Sequence, residues 1–159
     1  MAQELKSSAQ RVQNALQTLG FDCLVLELPD STRTAKEAAQ AIGCGVEQIV
    51  KSLIFKGKHS QNPVLVVASG TNRVNEKRLG ELAGEPIEKA DANFVRLRTG
   101  FAVGGVAPIG HIEPIKTFID EDLLQYTEIW AAAGTPFSVF RLTPADLQKM
   151  TAGPVVSIK

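Results

Sequence analysis

The 159-residue sequence predicts an α+β fold with a mixed β-sheet, in a single domain spanning residues 1–159. Three observations carry that prediction. KSLIFKG (51–57) and PVLVVASG (63–70) are two apolar, β-rich runs separated by the polar KHSQN, the pattern of a hairpin. Other strand-like runs alternate with helical signatures, so not every strand pairs with its sequence neighbour. No repeat, linker or low-complexity stretch divides the chain.

From the N-terminus, Val12, Ala15, Leu16 and Leu19 recur at helical spacing behind Ser7 and Ser8, and Gly20 supplies the left-handed residue that ends a helix. LVLEL (24–28) reads as a strand closed by Pro29. In STRTAKEAAQAIG (31–43), Thr34 and Glu37 form a capping box. Ala35, Ala38, Ala39 and Ile42 make an apolar stripe, and Gly43 is the stop. The small side chains predict a short helix that packs closely. After the hairpin, Asn75 caps a helix through EKRLGELAG (76–84), and Asp91 caps another through Val95 and Leu97 to Gly100. Beyond TGFAVGGVAPIGH (99–111) come a strand at 116–119, a helical turn at 120–126, and strands at 127–133 and 137–142. Thr143 caps the last helix, with Pro144 at its first position and Gly153 at its stop, and VVSI closes the chain.

The 17 basic and 17 acidic side chains cancel, so no global field holds a polyanion, and nucleic-acid contact must come from a local patch or from shape. The balance argues against a general DNA-coating role. Cys23 and Cys44 are too few and too isolated for a disulfide framework or zinc cluster, and are expected to be small buried hydrophobes in a reducing compartment. The start MAQELKSSAQ lacks the apolar run of a signal peptide, and no uncharged stretch of about 18 apolar residues is present. A cytoplasmic protein without a membrane partner is expected.

Alternation puts Lys51, Leu53 and Phe55 on one face of their strand and Ser52, Ile54 and Lys56 on the other. One reading of Lys51 is a strand-edge lysine whose stem lies on apolar surface. The other is an ammonium at a pocket rim, where partial desolvation strengthens its pull on a phosphate or a developing oxyanion. Gly104, Gly105 and Gly110 let backbone approach a neighbour closely and aim consecutive amides at one oxygen, although a tight turn in a barrel-like sheet would use the same residues. The loop has neither the Walker ending nor the GxGxxG spacing of a dinucleotide site. With His59 and His111 far apart and no GxSxG elbow, neither a metal site nor an α/β-hydrolase triad is supported. A hydrolase made of these residues works without a conventional protein nucleophile.

STRTAKEAAQAIG, QIVKSLIF, VLVVASGTNRVNEKRL and TGFAVGGVAPIGH, in this order and at these distances, resemble the YbaK/prolyl-tRNA synthetase-associated domain family. Its members are free-standing relatives of the editing domain inserted in bacterial prolyl-tRNA synthetases. The resemblance runs from about Ser8 to the C-terminus. It implies a mixed, curved, barrel-like sheet surrounded by helices. It also implies a trans-editing aminoacyl-tRNA deacylase, hydrolysing the ester between a wrong amino acid and the 3′-terminal adenosine of a tRNA. Such a second sieve is useful because a synthetase pocket separates side chains differing by one methylene by only about 1–3 kcal/mol.

By the same resemblance, Lys51 holds the terminal nucleotide and the reacting ester, while Gly104 and Gly105 polarise the ester carbonyl. Thr32, Thr34, Ser69, Gly70, Pro108 and His111 are implied to line the substrate site. AAAGTPFSVF (131–140) bounds the amino-acid pocket, where Ala133, Gly134 and Ser138 imply a small amino acid, alanine first, carried by tRNA-Pro or a similar tRNA. Neither the acidic residue of the subgroup acting on cysteinyl-tRNA nor the histidine of the inserted domain is present there. The implied partners are mischarged tRNA and prolyl-tRNA synthetase or another synthetase, with no metal or cofactor. Candidate tRNA contacts are Arg73, Lys77, Arg78, Lys56 and Lys58. A non-catalytic relative that binds tRNA or a synthetase is the alternative, disfavoured by the retention of both Lys51 and the glycine pair. An unrelated nucleotide-binding enzyme is a third reading, and it lacks a phosphate motif.

Overall fold

A computed structural model describes residues 7–159, and the first six residues of the polar start lie outside it. Five α-helices are present among the described residues: α1 (Ser7–Thr18), α2 (Ala35–Ile42), α3 (Glu76–Ala83), α4 (Ala92–Thr99) and α5 (Pro144–Thr151). The strands are β1 (Val25–Glu27), β2 (Ile49–Gly57), β3 (Pro63–Ser69), β4 (Ile87–Lys89), β5 (Lys116–Asp120), β6 (Ile129–Ala132), β7 (Ser138–Leu142) and β8 (Val155–Val156). They form one mixed sheet in the order β1-β7-β6-β2-β3-β5-β8, with β4 also on β2. The α+β architecture and mixed sheet are those expected, but the sheet stays open, with β1 and β8 at its two ends.

Side-chain period divides the interior. Val50 and Ile54 of β2 join Leu65, Val67 and Ile119 in a core that includes Val12 and Leu16 of α1. Phe55, Val64, Val66, Ala68 and Phe118 point to the opposite face, where Leu79 of α3 covers them. Both faces of the central hairpin are therefore apolar, which explains why all of β3 is buried.

The caps are where the sequence puts them. Thr34 accepts from the Glu37 amide, Asn75 from Arg78, Asp91 from Phe94 and Thr143 from Asp146. Several local readings are corrected. Leu19 is 51% exposed, because Gly20 turns the chain and the Phe21 amide returns to the Leu16 carbonyl. Leu97 is also exposed, leaving Val95 as the anchor of α4. Ala152, not Gly153, takes the left-handed conformation that ends α5. Gly153 is bare because a Cβ there would lie 2.4 Å from the Thr117 carbonyl oxygen. β4 and a 3₁₀ turn at Val46–Gln48 escape the sequence reading. Cys23 and Cys44 are free thiols only partly buried, and burial pushes both of their pKa values up.

The pairing of β2 decides where the sheet opens. β2 pairs antiparallel with β3 from Val50 to Lys56. Along its other edge, β6 reaches only Ile49 and Val50, and β4 begins at Phe55. Nine residues of β2 thus face two short strands, and Lys51–Ile54 keep one edge unpaired. Backbone groups on such an edge are free to meet a ligand.

Candidate active site

The break in the sheet opens into two adjoining clefts of about 280 and 600 Å³. Both are bounded by Lys51, Ser52 and Leu53 on β2 and by Val103, Gly104 and Val106 of the glycine-rich loop. The smaller cleft has Ala131, Ala132 and Val139 on one side and Thr32, Arg33 and Thr34 on another. The larger cleft carries Arg73, Glu76 and Lys89. Lys51 and Gly104, far apart in sequence, are thus brought to one site.

The Lys51 ammonium donates to the Asn72 carbonyl oxygen. Burial lowers its pKa, repulsion from Arg73 lowers it further, and the Asp120 carboxylate opposes both. Asn72 is itself anchored. Its Nδ2 donates to Asp120 Oδ2 at 2.8 Å and to Asp122 Oδ2 at 2.7 Å. Asp120, 1% exposed, also accepts from the amides of Ser69 at 3.0 Å and Asp122 at 2.9 Å. Lys159 pairs with Asp122 at 2.8 Å. The lysine is therefore held by a carbonyl that a buried carboxylate fixes in place.

The two adjacent glycines differ. The Gly104 amide has no hydrogen-bond acceptor among the described residues, and its φ is +91°. A Cβ there would meet the Arg33 side chain, with Cγ at 2.8 Å. The Gly105 amide instead donates to the Ala102 carbonyl at 3.0 Å, and its own carbonyl accepts from Gly134 at 2.9 Å. Gly105 must be bare because Thr135 Cα and N would lie 2.9 Å from a Cβ. Gly104 lines the clefts, and Gly105 seats the loop on the turn at 134–135.

Thr32 and Thr34 line the smaller cleft, where Thr32 Oγ1 donates to the Pro136 carbonyl at 2.9 Å and Thr34 Oγ1 caps α2. Ser69 and Gly70 do not line either cleft. Ser69 Oγ donates to the Glu47 carbonyl at 2.7 Å, and Gly70 is bare because the Val46 carbonyl oxygen would lie 2.3 Å from a Cβ. Pro108 and His111 border a separate groove. His111 Nε2 donates to the Ala107 carbonyl at 2.7 Å, and its ring stands edge-on to Phe101, with centroids 6.1 Å apart. Burial lowers its pKa, with a further push from Arg11. Ala133, Gly134 and Ser138 are buried outside the lining of both clefts, where their neighbours Ala131, Ala132 and Val139 are found instead.

Of the basic residues, Arg73 borders the larger cleft, whereas Lys56 pairs with Glu88 at 3.5 Å. Lys58, Lys77 and Arg78 are exposed and off both clefts. Sequence reasoning passed over Arg33, Ser52, Asn72, Lys89 and Asp120. Arg33 and Ser52 each adjoin a residue it singled out, but only tertiary pairing shows that they share the site.

No helix among the described residues is long and apolar enough to cross a membrane. The chain is 50% identical to a protein whose crystal structure is described as that of "a putative trans-editing enzyme for prolyl tRNA synthetase", with a TM-score of 0.92 over 98% of this chain and 99% of that one. It is 30% identical over 131 residues to the uncharacterized protein YwhH of Bacillus subtilis (strain 168), covering 82% of this chain and 83% of YwhH. It is 27% identical over 126 residues to EbsC of Enterococcus faecalis (strain ATCC 700802 / V583), described as a "Putative Cys-tRNA(Pro)/Cys-tRNA(Cys) deacylase", covering 79% of this chain and 76% of EbsC. The sequence model of the aminoacyl-tRNA editing domain matches residues 29–150, a span that includes β2, the glycine-rich loop and both clefts between them, and the chain belongs to that family.

Proposed function

We propose that the protein is an aminoacyl-tRNA deacylase acting in trans, hydrolysing the ester of a tRNA mischarged with a small amino acid, alanine first. One observation carries this reading: Lys51, whose ammonium is held by the Asn72 carbonyl, and Gly104, whose amide is unpaired, line the same break in the sheet. An aminoacyl ester is already activated, so placing it between two fixed donors supplies most of what hydrolysis needs. Water adds to the ester carbonyl carbon, and Lys51 and Gly104 stabilise the oxygen that becomes negative. The bond from the acyl carbon to the ribose oxygen then breaks, and that oxygen takes up the proton that the attacking water gives up. The substrate's neighbouring ribose hydroxyl positions the water, so no titrating protein base is required. Ala131, Ala132 and Val139 in the smaller cleft suit a short apolar side chain, and Arg73 and Lys89 in the larger one suit the phosphates of the tRNA 3′ end.

The test is a panel of tRNA-Pro species charged with alanine, serine, cysteine or proline, with loss of each ester measured with and without protein. Alanyl-tRNA is expected to be hydrolysed fastest and prolyl-tRNA spared. Lys51→Ala is expected to lower kcat/KM by about 10²–10³ with an unchanged melting temperature. A folded Lys51→Ala variant with the wild-type rate refutes the assignment, and binding of mischarged tRNA without loss of ester establishes the binding-only alternative.

A further inference from the structure

Ser52 Oγ is the single buried side-chain polar atom without a hydrogen-bond partner among the described residues. An unpaired buried hydroxyl keeps its desolvation penalty, and folded proteins carry few of them. Its surroundings offer no relief. Ser52 is in register with Val67, and Val50 and Ile54, two residues away on the same face, belong to the apolar core. The site that Ser52 does border is the break in the sheet, where it lines both clefts.

The chemistry of the smaller cleft narrows what the hydroxyl is for. Lys51 and the Gly104 amide can only donate. No carboxylate lines that cleft. The Thr32 hydroxyl is committed to the Pro136 carbonyl, and that of Thr34 to the Glu37 amide. The ester carbonyl and the ribose oxygens find donors there, but the α-ammonium of an aminoacyl group needs acceptors. Ser52, which lines the cleft and whose buried hydroxyl a side-chain rotation toward the open edge of β2 would present to it, and the unpaired carbonyls of that edge are the acceptors available there.

On the deacylase reading above, we infer that Ser52 accepts a hydrogen bond from the substrate's α-ammonium and makes the site selective for esters with a free amino group. N-blocked esters, the class that includes peptidyl-tRNA, exchange a charge-assisted bond for a weaker one from an amide N–H and bring an acyl group that the cleft must also hold, so they are disfavoured.

The experiment compares wild type with Ser52→Ala in two assays. The first follows hydrolysis of alanyl-tRNA and N-acetyl-alanyl-tRNA. The second measures binding of the non-hydrolysable amide 3′-alanylamino-3′-deoxyadenosine and its N-acetyl form by calorimetry. Wild type is expected to prefer the free amine about tenfold or more in both, and Ser52→Ala to lose most of that preference. The variant is expected to melt no lower than wild type, since the substitution removes an unpaired group. A purely structural serine predicts the opposite sign. The inference is overturned if Ser52→Ala keeps the preference, if both substrates weaken equally, or if the variant melts several degrees lower. A wild type that prefers the free amine in binding, with that preference lost in Ser52→Ala, yet cleaves no ester upholds this inference and refutes the deacylase reading.

Discussion

Lys51 shows how a side chain is tuned by the burial and the charges around it. Its pKa is already depressed, so its ammonium is lost at lower pH than that of an ordinary lysine. If the ammonium stabilises the oxyanion, hydrolysis corrected for the spontaneous reaction declines on the alkaline side as Lys51 deprotonates. Arg73→Ala removes a repulsive charge, so that decline should move to higher pH. Asp120→Asn removes an attractive one and should move it to lower pH. The asparagine also cannot accept from all three donors that converge on Asp120, so the fold should lose about 1–3 kcal/mol in denaturant titrations. Opposite displacements of the pH profile are the signature, because a merely loosened structure has no reason to shift in two directions. The place of Lys51 on the strand face shared with Leu53 and Phe55 was legible from alternation, which fitted a strand-edge lysine equally well, and its role at the ester came only from the family resemblance. Asn72 and Asp120 were not, because they act through a backbone carbonyl and through contacts 48 residues apart.

At the level of elements, the adjacent glycines of the loop separate chemistry from packing. Gly105→Ala drives a Cβ into the backbone at 134–135, so melting temperature and activity should fall together, with a loss of about 1–3 kcal/mol. Gly104→Ala meets only the flexible Arg33 side chain but must hold a φ of +91°, at a cost of about 1–3 kcal/mol. Its activity should fall further than its stability explains, because the strain sits on a residue that lines both clefts and whose amide is unpaired. The end of this segment offers a titration instead. His111 has a folded pKa below the reference value of 6.5, so the unfolded chain takes up the proton first. The His111 contribution therefore reduces stability as pH falls below about 6.5 and levels off below the folded pKa. His111→Gln, which retains a donor for the Ala107 carbonyl, should show a flatter dependence over that window in denaturant midpoints. Helix caps and the β2–β3 hairpin were readable because Thr34, Asn75, Asp91 and Thr143 act within four residues. The division of labour between Gly104 and Gly105 was not, since it is set by a turn about 30 residues further on.

Across the whole molecule, the decisive feature is a nine-residue strand given too little partner along one edge, so that the sheet carries its own opening. Hydrophobic pattern specifies that β2 is a strand, but not that β6 stops at Ala132 and β4 starts at Ile87; that mismatch is a property of the assembled sheet. The charge distribution follows the same geometry. The chain as a whole is neutral, yet Arg33, Lys51, Arg73 and Lys89 border the two clefts, and Lys58, Lys77 and Arg78 lie elsewhere on the surface. On the deacylase reading, a protein so arranged is expected to grip the single-stranded 3′ end and little of the tRNA body. Each phosphate neutralised on a single strand contributes about −0.7 to the slope of log affinity against log salt. The slope of log kcat/KM should therefore stay near −2 to −3 on this rule, and be equal for whole tRNA and for a short hairpin ending in the same charged 3′ terminus. Arg33→Ala should make it shallower by about 0.7, while Lys77→Ala should leave it unchanged. A steeper slope for whole tRNA that Lys77→Ala or Arg78→Ala relieves would move the contact surface from the break in the sheet onto α3.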